Sequence, residues 1–155
     1  MKACKVVVVG GEGFVGSNLV RYLLNLDCRE IVVIDNLLSA EKVNYLEEKG
    51  ICFIEASITE DKVLAKLDDD IDYIFHLATY HGNQSSIHYP LADHENNTLT
   101  TLKLLELIKD FKHLKKIVYS SAGCAVAEKT FEKANATSED APVSLYMDSP
   151  YSISK

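Results

Sequence analysis

The chain has no tryptophan, and none of its 155 positions begins a run of 18 apolar residues. Without such a run, a bilayer-spanning helix is excluded. Positive charge is scarce too, with 16 Lys and Arg against 23 Asp and Glu and a net charge of −7. A nucleic-acid groove or a polybasic membrane patch needs clustered cations, so neither partner is expected. Cysteine is sparse and dispersed. Cys4, Cys28, Cys52 and Cys124 form no C-x-x-C pair, which argues against a zinc knuckle and a disulfide framework and fits a reduced cytoplasm. The apolar stretch in MKACKVVVVGGEG is broken at once by glycine and is too short for a signal peptide. What is present is 47% hydrophobic content, enough for the core of one domain.

That apolar content comes in short β-branched runs: KVVVV (5–9), EIVVID (30–35), ICFIE (51–55), DYIFHLA (72–78) and KKIVYSS (115–121). They read as buried strands. Between them, apolar residues recur at helical spacing over 14–26, 39–50, 60–67 and 95–111. Strands alternating with helices predict an α/β fold, a Rossmann-type doubly wound parallel sheet with helices on both faces. The periodicity fades over 122–150 into a long polar stretch, a length unusual for a loop without a function.

Function is therefore sought at the strand ends. VVVVGGEGFVGS satisfies both G-x-G-x-x-G (Gly11, Gly13, Gly16) and G-x-x-G-x-x-G (Gly10, Gly13, Gly16). Either reading puts glycines between a strand and the first turn of a helix, where a pyrophosphate can approach the backbone and the unpaired N–H groups of the helix start. Asp35 closes the second strand, where a carboxylate can accept hydrogen bonds from the adenosine ribose. Its other reading is a helix cap or turn residue, a part that Asn36 could play as well. A carboxylate there repels a 2′-phosphate, so the expected cofactor is NAD rather than NADP.

Taken with FHLAT, NNTLTT, IVYSSA and PYSISK, these segments resemble the extended short-chain dehydrogenase/reductases, in particular the NAD-dependent nucleotide-sugar epimerases and dehydratases. The resemblance runs from residue 5 to residue 155. It implies that Gly10, Gly13, Phe14, Val15 and Gly16 hold the pyrophosphate, Asp35 and Asn36 the ribose, and Ser57 and Ile58 the adenine side. Leu77, Ala78 and Thr79 would line the cofactor beyond the fourth strand, Asn97 would buttress it, and Ser120 would face the nicotinamide. Tyr151 and Lys155 would be the catalytic pair, also touching the cofactor, with a serine or threonine as the third member. Ungapped alignment of IVYSSA puts Ala122 at that third place. Either the neighbouring Ser121 serves, or another hydroxyl or a water does. The resemblance brings the loop after the fourth strand toward the sugar, so His81, Asn83 and Ser86 are candidate substrate contacts, or else ordinary loop polar residues. His76 reads as a core residue, Cys124 as packing, and the histidines have no spacing that suggests a metal set.

Tyrosine has an unperturbed pKa of about 10, so work as a general base needs a neighbouring positive charge. The i, i+4 spacing of YSISK puts Lys155 beside Tyr151 on one helix face. The implied reaction is removal of a sugar hydroxyl proton by Tyr151 as hydride passes to NAD, leaving a keto-sugar that is re-reduced or loses water. By resemblance it would serve surface-polysaccharide synthesis. A helix carrying this pair needs residues after Lys155 to accept its hydrogen bonds. The expectation is thus that residues 1–155 form the NAD-binding domain of a longer cytoplasmic enzyme, cut before the substrate-binding part, homodimeric when complete and inactive as the 155-residue chain alone. The rival expectations are a non-catalytic NAD-sensing module and an inactive fragment.

Overall fold

Lys5–Val9 forms strand β1, and all five of its residues are buried. The strand lacks the alternation of a half-exposed strand because it is central. It pairs in parallel with β2 (Glu30–Asp35) on one side and with β4 (Tyr73–His76) on the other. Strand β3 (Ile51–Glu55) continues the sheet beyond β2, and β5 (Lys116–Tyr119) continues it beyond β4, giving the order β3-β2-β1-β4-β5. This computed structural model describes residues 3–40, 48–80, 82–126, 136–143 and 146–155.

Two cores lie against the sheet. Val7 and Val9 face one of them with Val32, Ile34, Ile74, Leu104 and Ile108. Val6 and Val8 face the other with Val20, Leu23, Ile31 and Val33. Helix α1 (Phe14–Leu24) covers the second face through Val20 and Leu23. Helices α2 (Asp61–Leu64) and α5 (Thr98–Ile108) cover the first through Val63, Leu104 and Ile108. The expected parallel sheet with helices on both faces is present. Because the chain crosses from β3 to the far side of β1, a crevice opens between the carboxyl ends of β1 and β4, the place where such sheets bind ligands.

Three strands coincide with the residues expected, while the runs 72–78 and 115–121 form only four-residue strands, Tyr73–His76 and Lys116–Tyr119. The chain leaves the ladder after His76, although the N–H groups of Leu77 and Ala78 still donate to the Val9 carbonyl at 2.8 and 2.9 Å. The helical spacing over 95–111 corresponds to two helices, α4 (Pro90–Asn96) and α5, which are separated by Asn97 at φ −110°, ψ −63°. The Thr100 and Thr101 hydroxyls both donate to the Asn97 carbonyl, at 2.8 and 2.9 Å, and such local bonds compete with the helical ladder. The segment after β4, expected as a polar loop, contains α3 (Asn83–His88). It lacks an apolar period because it is held by α7 (Pro150–Ser154), against which it packs. A short α6 (Gly123–Val126) interrupts the expected polar stretch. Of the helix expected over 39–50, residues 41–47 lie outside the described ones, and residues 39, 40 and 48–50 are not helical.

Candidate active site

The glycine turn starts where β1 ends. Gly10 has φ +83°, and a Cβ built on it would lie 2.5 Å from the Ala78 nitrogen. A Cβ on Gly16 would lie 2.1 Å from the Gly10 carbonyl oxygen. Both glycines are thus required by the protein's own backbone packing. Gly13 differs, because a Cβ there would meet nothing nearer than the Gly10 oxygen at 3.5 Å, an ordinary contact. Gly13 is the N-cap of α1, with no side-chain cap and no acidic residue in the first turn. Phe14 and Val15 are exposed beside it, so the positive end of the helix dipole opens to a ligand.

Asp35 holds the turn in place. Its Oδ2 accepts the Glu12 N–H at 2.9 Å, and its Oδ1 accepts the Leu37 N–H at 2.9 Å. The carboxylate therefore does act as a turn residue, yet each oxygen keeps room for a second hydrogen bond. Asn36 is exposed and accepts the Leu38 N–H at 3.1 Å. After β3, the Ser57 N–H donates to Glu60 Oε1 at 2.8 Å, its hydroxyl pairs with Thr59, and Ile58 is buried. Gly10, Asp35, Asn36, Ser57, Ile58, Ala78 and Thr79 line one cleft of about 420 Å³ that is open to solvent. Tyr80, Asn96 and Thr100 also line it, and these the sequence did not single out as cofactor contacts.

The Tyr151–Lys155 pair enters from α7. That helix has a capping box, with the Ser149 hydroxyl accepting the Ser152 N–H and the Ser152 hydroxyl accepting the Ser149 N–H. The Ser149 hydroxyl also donates to Asn83 Oδ1 at 2.9 Å, and the Tyr151 N–H donates to the buried Ser86 hydroxyl at 3.1 Å. Asn83 and Ser86 thus have a part in seating α7 on α3. His81, the third candidate substrate contact, lies outside the described residues.

Tyr151 Oη lies 3.4 Å from Thr79 Oγ1. Lys155 is half-buried, with Nζ 4.8 Å above the Tyr119 ring. Burial pushes its amine below the ordinary lysine value, while the charge of Asp93 acts in the opposite direction. Ser121, the nearest match to the third catalytic residue, donates its hydroxyl to the main-chain oxygen of Lys155 at 2.8 Å. Ser120 is exposed, and its N–H donates to the His76 carbonyl at 3.0 Å. Asn97 is buried and grips the peptide of Tyr80, its Oδ1 accepting the Tyr80 N–H at 2.8 Å and its Nδ2 donating to the Tyr80 carbonyl at 3.2 Å. The loop that carries Leu77, Ala78 and Thr79 is thereby fixed from behind.

His76 is buried between Thr101, 3.1 Å from its Nε2, and the Tyr119 ring, edge-on at 5.5 Å. Burial pushes its pKa down to about 4, and the Lys155 charge adds to the effect. An unfolded histidine titrates near 6.5, so between about pH 6.5 and 4 the unfolded chain takes up a proton that the folded chain refuses. The stability from neutral His76 is complete above that window and is lost as pH falls through it. Urea denaturation should show a loss approaching ~3 kcal/mol across the window. His76→Gln, which is neutral at every pH and still able to bond Thr101, should flatten the slope; an unchanged slope would contradict this assignment.

The protein family described as the NAD-dependent epimerase/dehydratase family matches residues 6–155. The crystal structure of the Bordetella bronchiseptica enzyme WbmF in complex with NAD+ is 57% identical, with a TM-score of 0.80, over 99% of this chain and 43% of that one. The dTDP-D-glucose 4,6-dehydratase of Dictyostelium discoideum is 30% identical over 97% of this chain and 38% of its own length. The UDP-glucose 4-epimerase of Bacillus subtilis is 36% identical over 76% of this chain and 36% of its own length. The chain spans less than half the length of each of these relatives.

Proposed function

The chain belongs to the NAD-dependent epimerase/dehydratase family, and from that premise we propose that it supplies the NAD-binding domain, residues 1–155, of an enzyme that epimerises or dehydrates a nucleotide-sugar through a transient keto-sugar. The observation that carries this reading is one cleft lined by Gly10 of the glycine turn, Asp35 and Thr79, with the Tyr151 hydroxyl 3.4 Å from that of Thr79. The residues fit NAD. Gly13 leaves free space where a pyrophosphate would meet the start of α1, and Asp35 keeps acceptor capacity for a ribose. When bound, NAD would accept and return a hydride. Gly10, Gly13, Phe14, Val15 and Gly16 would hold its pyrophosphate, Asp35 and Asn36 its ribose, and Ser57 and Ile58 its adenine side. Leu77, Ala78, Thr79, Ser120 and Asn97 would shape the nicotinamide side.

Tyr151 would take the proton of a sugar hydroxyl, and the Lys155 amine would reach the cofactor ribose. We assign the third catalytic part to Thr79 rather than Ser121, because the Thr79 hydroxyl adjoins the phenol whereas that of Ser121 is bonded to Lys155. Asn83 and Ser86 would set the position of Tyr151. The sugar-binding part would lie in the portion of the relatives that this chain does not span. A homodimer of the longer enzyme is part of the proposal, supported by the exposed Leu99, Leu102 and Leu105 along one face of α5. So is cytoplasmic surface-polysaccharide synthesis, with which the dispersed cysteines of the sequence agree.

The test is cofactor choice. NAD(H) should bind at least ~10-fold tighter than NADP(H), a difference of ~1.4 kcal/mol in a calorimetric titration. Asp35→Ser should narrow the gap by removing the repulsion. It should also lower stability by ~2 kcal/mol, because the Glu12 and Leu37 N–H groups lose their shared acceptor. Equal affinities for the two cofactors in the unsubstituted chain would sink the proposal.

A further inference from the structure

Cys4 and Cys28 lie 24 positions apart in sequence, a separation that carries no pairing signal, yet the fold puts their sulfurs in contact, the Cys4 thiol donating to Cys28 Sγ at 3.4 Å. Cys4 directly precedes β1, and Cys28 stands two positions before β2. The parallel pairing that sets Lys5 opposite Glu30 extends backward past the first residues of both strands. The Arg29 N–H donates to the Cys4 carbonyl at 2.8 Å, and the Ala3 N–H to the Asp27 carbonyl at 3.2 Å. The two backbones are thus tied together on either side of the sulfur pair. Cys4 is buried in the core beneath α1 with Val6 and Val8, and Cys28, half-buried, packs against the same core. Closing these sulfurs to a disulfide needs them only about 1.4 Å nearer, an approach that rotation about the two Cα–Cβ bonds can provide. The pair sits at the amino ends of β1 and β2, whereas the cleft forms at their carboxyl ends, so the proposed reaction makes no use of it.

We propose that Cys4 and Cys28 form a redox-closable dithiol whose reaction partner is a small-molecule disulfide of the glutathione class, and that its closure staples the amino end of β1 to that of β2. Cys28 is the more accessible sulfur and reacts first. Its thiolate attacks the small disulfide, a mixed disulfide forms on Cys28, and one small thiol leaves. Cys4 then attacks the Cys28 sulfur, the protein disulfide forms, the mixed one breaks, and the second small thiol leaves. One disulfide bond is lost and one is gained. The two cysteine protons end on the departing thiols, and the two electrons given up by the protein are taken by the small disulfide. Burial and the adjacent Cys4 sulfur push the Cys28 pKa up to about 11, and the charge of Asp27 acts in the same direction. Thiolate is therefore scarce at neutral pH and exchange is slow, so the pair answers to sustained oxidation rather than to a brief pulse. The new bond closes a loop that contains α1, which removes entropy from the unfolded chain and makes the closed form harder to unfold.

Incubating the folded 155-residue chain with excess oxidised glutathione, blocking the remaining thiols with iodoacetamide and mapping the peptides by mass spectrometry tests this. The expected product is a Cys4–Cys28 cross-link with no glutathione on either residue. Its unfolding equilibrium constant in urea should fall about a hundredfold relative to the reduced chain, and dithiothreitol should restore the original value. Cys28→Ala, treated in the same way, should gain no such stability, and Cys4→Ala should halt the exchange at the mixed disulfide on Cys28. Glutathione retained on Cys28 of the unsubstituted chain, a Cys28 still open to iodoacetamide after prolonged incubation, or a cross-linked chain no more stable than the reduced one would overturn the proposal. These three readings need no substitution, so they decide the matter even if Cys4→Ala fails to fold.

Discussion

Gly16→Ala should cost about 3 kcal/mol or more of folding stability, a large share of what a domain of this size has to lose. The added methyl would sit 2.1 Å from the Gly10 carbonyl oxygen and 2.7 Å from the Gly11 Cα, both backbone atoms that no rotamer change can move aside. Gly10→Ala should be comparably damaging, because it combines a 2.5 Å approach to the Ala78 nitrogen with a φ of +83° that a side chain disfavours. Gly13→Ala provides the contrast. Its methyl meets only ordinary contact within the chain, so stability should change by less than about 1 kcal/mol, whereas NAD affinity should fall, because the methyl stands where the pyrophosphate is proposed to meet the helix start. Urea denaturation and cofactor titration of the three variants separate the two parts played by one motif. Wild-type stability in Gly16→Ala, or wild-type NAD affinity in Gly13→Ala, would show that the division is wrong.

Tyr151→Phe should lower hydride transfer by about a thousandfold in a chain lengthened to the span of its relatives, within the range seen when a positioned acid–base group is removed. The substitution is clean. The Tyr151 N–H, which donates to Ser86, is untouched, and the hydroxyl makes only the 3.4 Å contact with Thr79 among the described residues. Melting temperature and NAD affinity should therefore stay close to wild type. Thr79→Val, which removes the hydroxyl beside the phenol at nearly constant shape, should lower turnover less than Tyr151→Phe and more than Ser121→Ala. Full turnover by Tyr151→Phe in a nucleotide-sugar assay would remove Tyr151 from the chemistry and with it the proposed mechanism.

The parts of this molecule that were readable early are those written in contiguous residues. The runs 5–9, 30–35 and 51–55 became strands of those same residues because each is a β-branched segment bounded by polar residues or glycine. The family resemblance rested likewise on local strings, and the family match over residues 6–155 bears it out. The strands were overextended at 72–78 and 115–121 because extended chain beyond a strand has the same composition as the strand itself. The helices α3 and α4 were hidden for a different reason. NQSSIH and PLADHEN carry little apolar period, and Ser86 and Asp93, which would ordinarily mark a solvent face, point inward.

By itself, the sequence determined the α/β class, the glycine turn, the carboxylate after the second strand and the i, i+4 spacing of Tyr151 and Lys155, since each depends on spacing within a few residues or on alternation along the chain. Tertiary structure alone decided what those groups touch. Thr79 meets Tyr151 across 72 residues, Ser86 holds the Tyr151 N–H across 65, and Asn83 meets Ser149 across 66. Hydrogen bonds and charges act through space over a few ångströms, and which residues come that close is set by how the helices pack on the sheet, a geometry that no local spacing encodes.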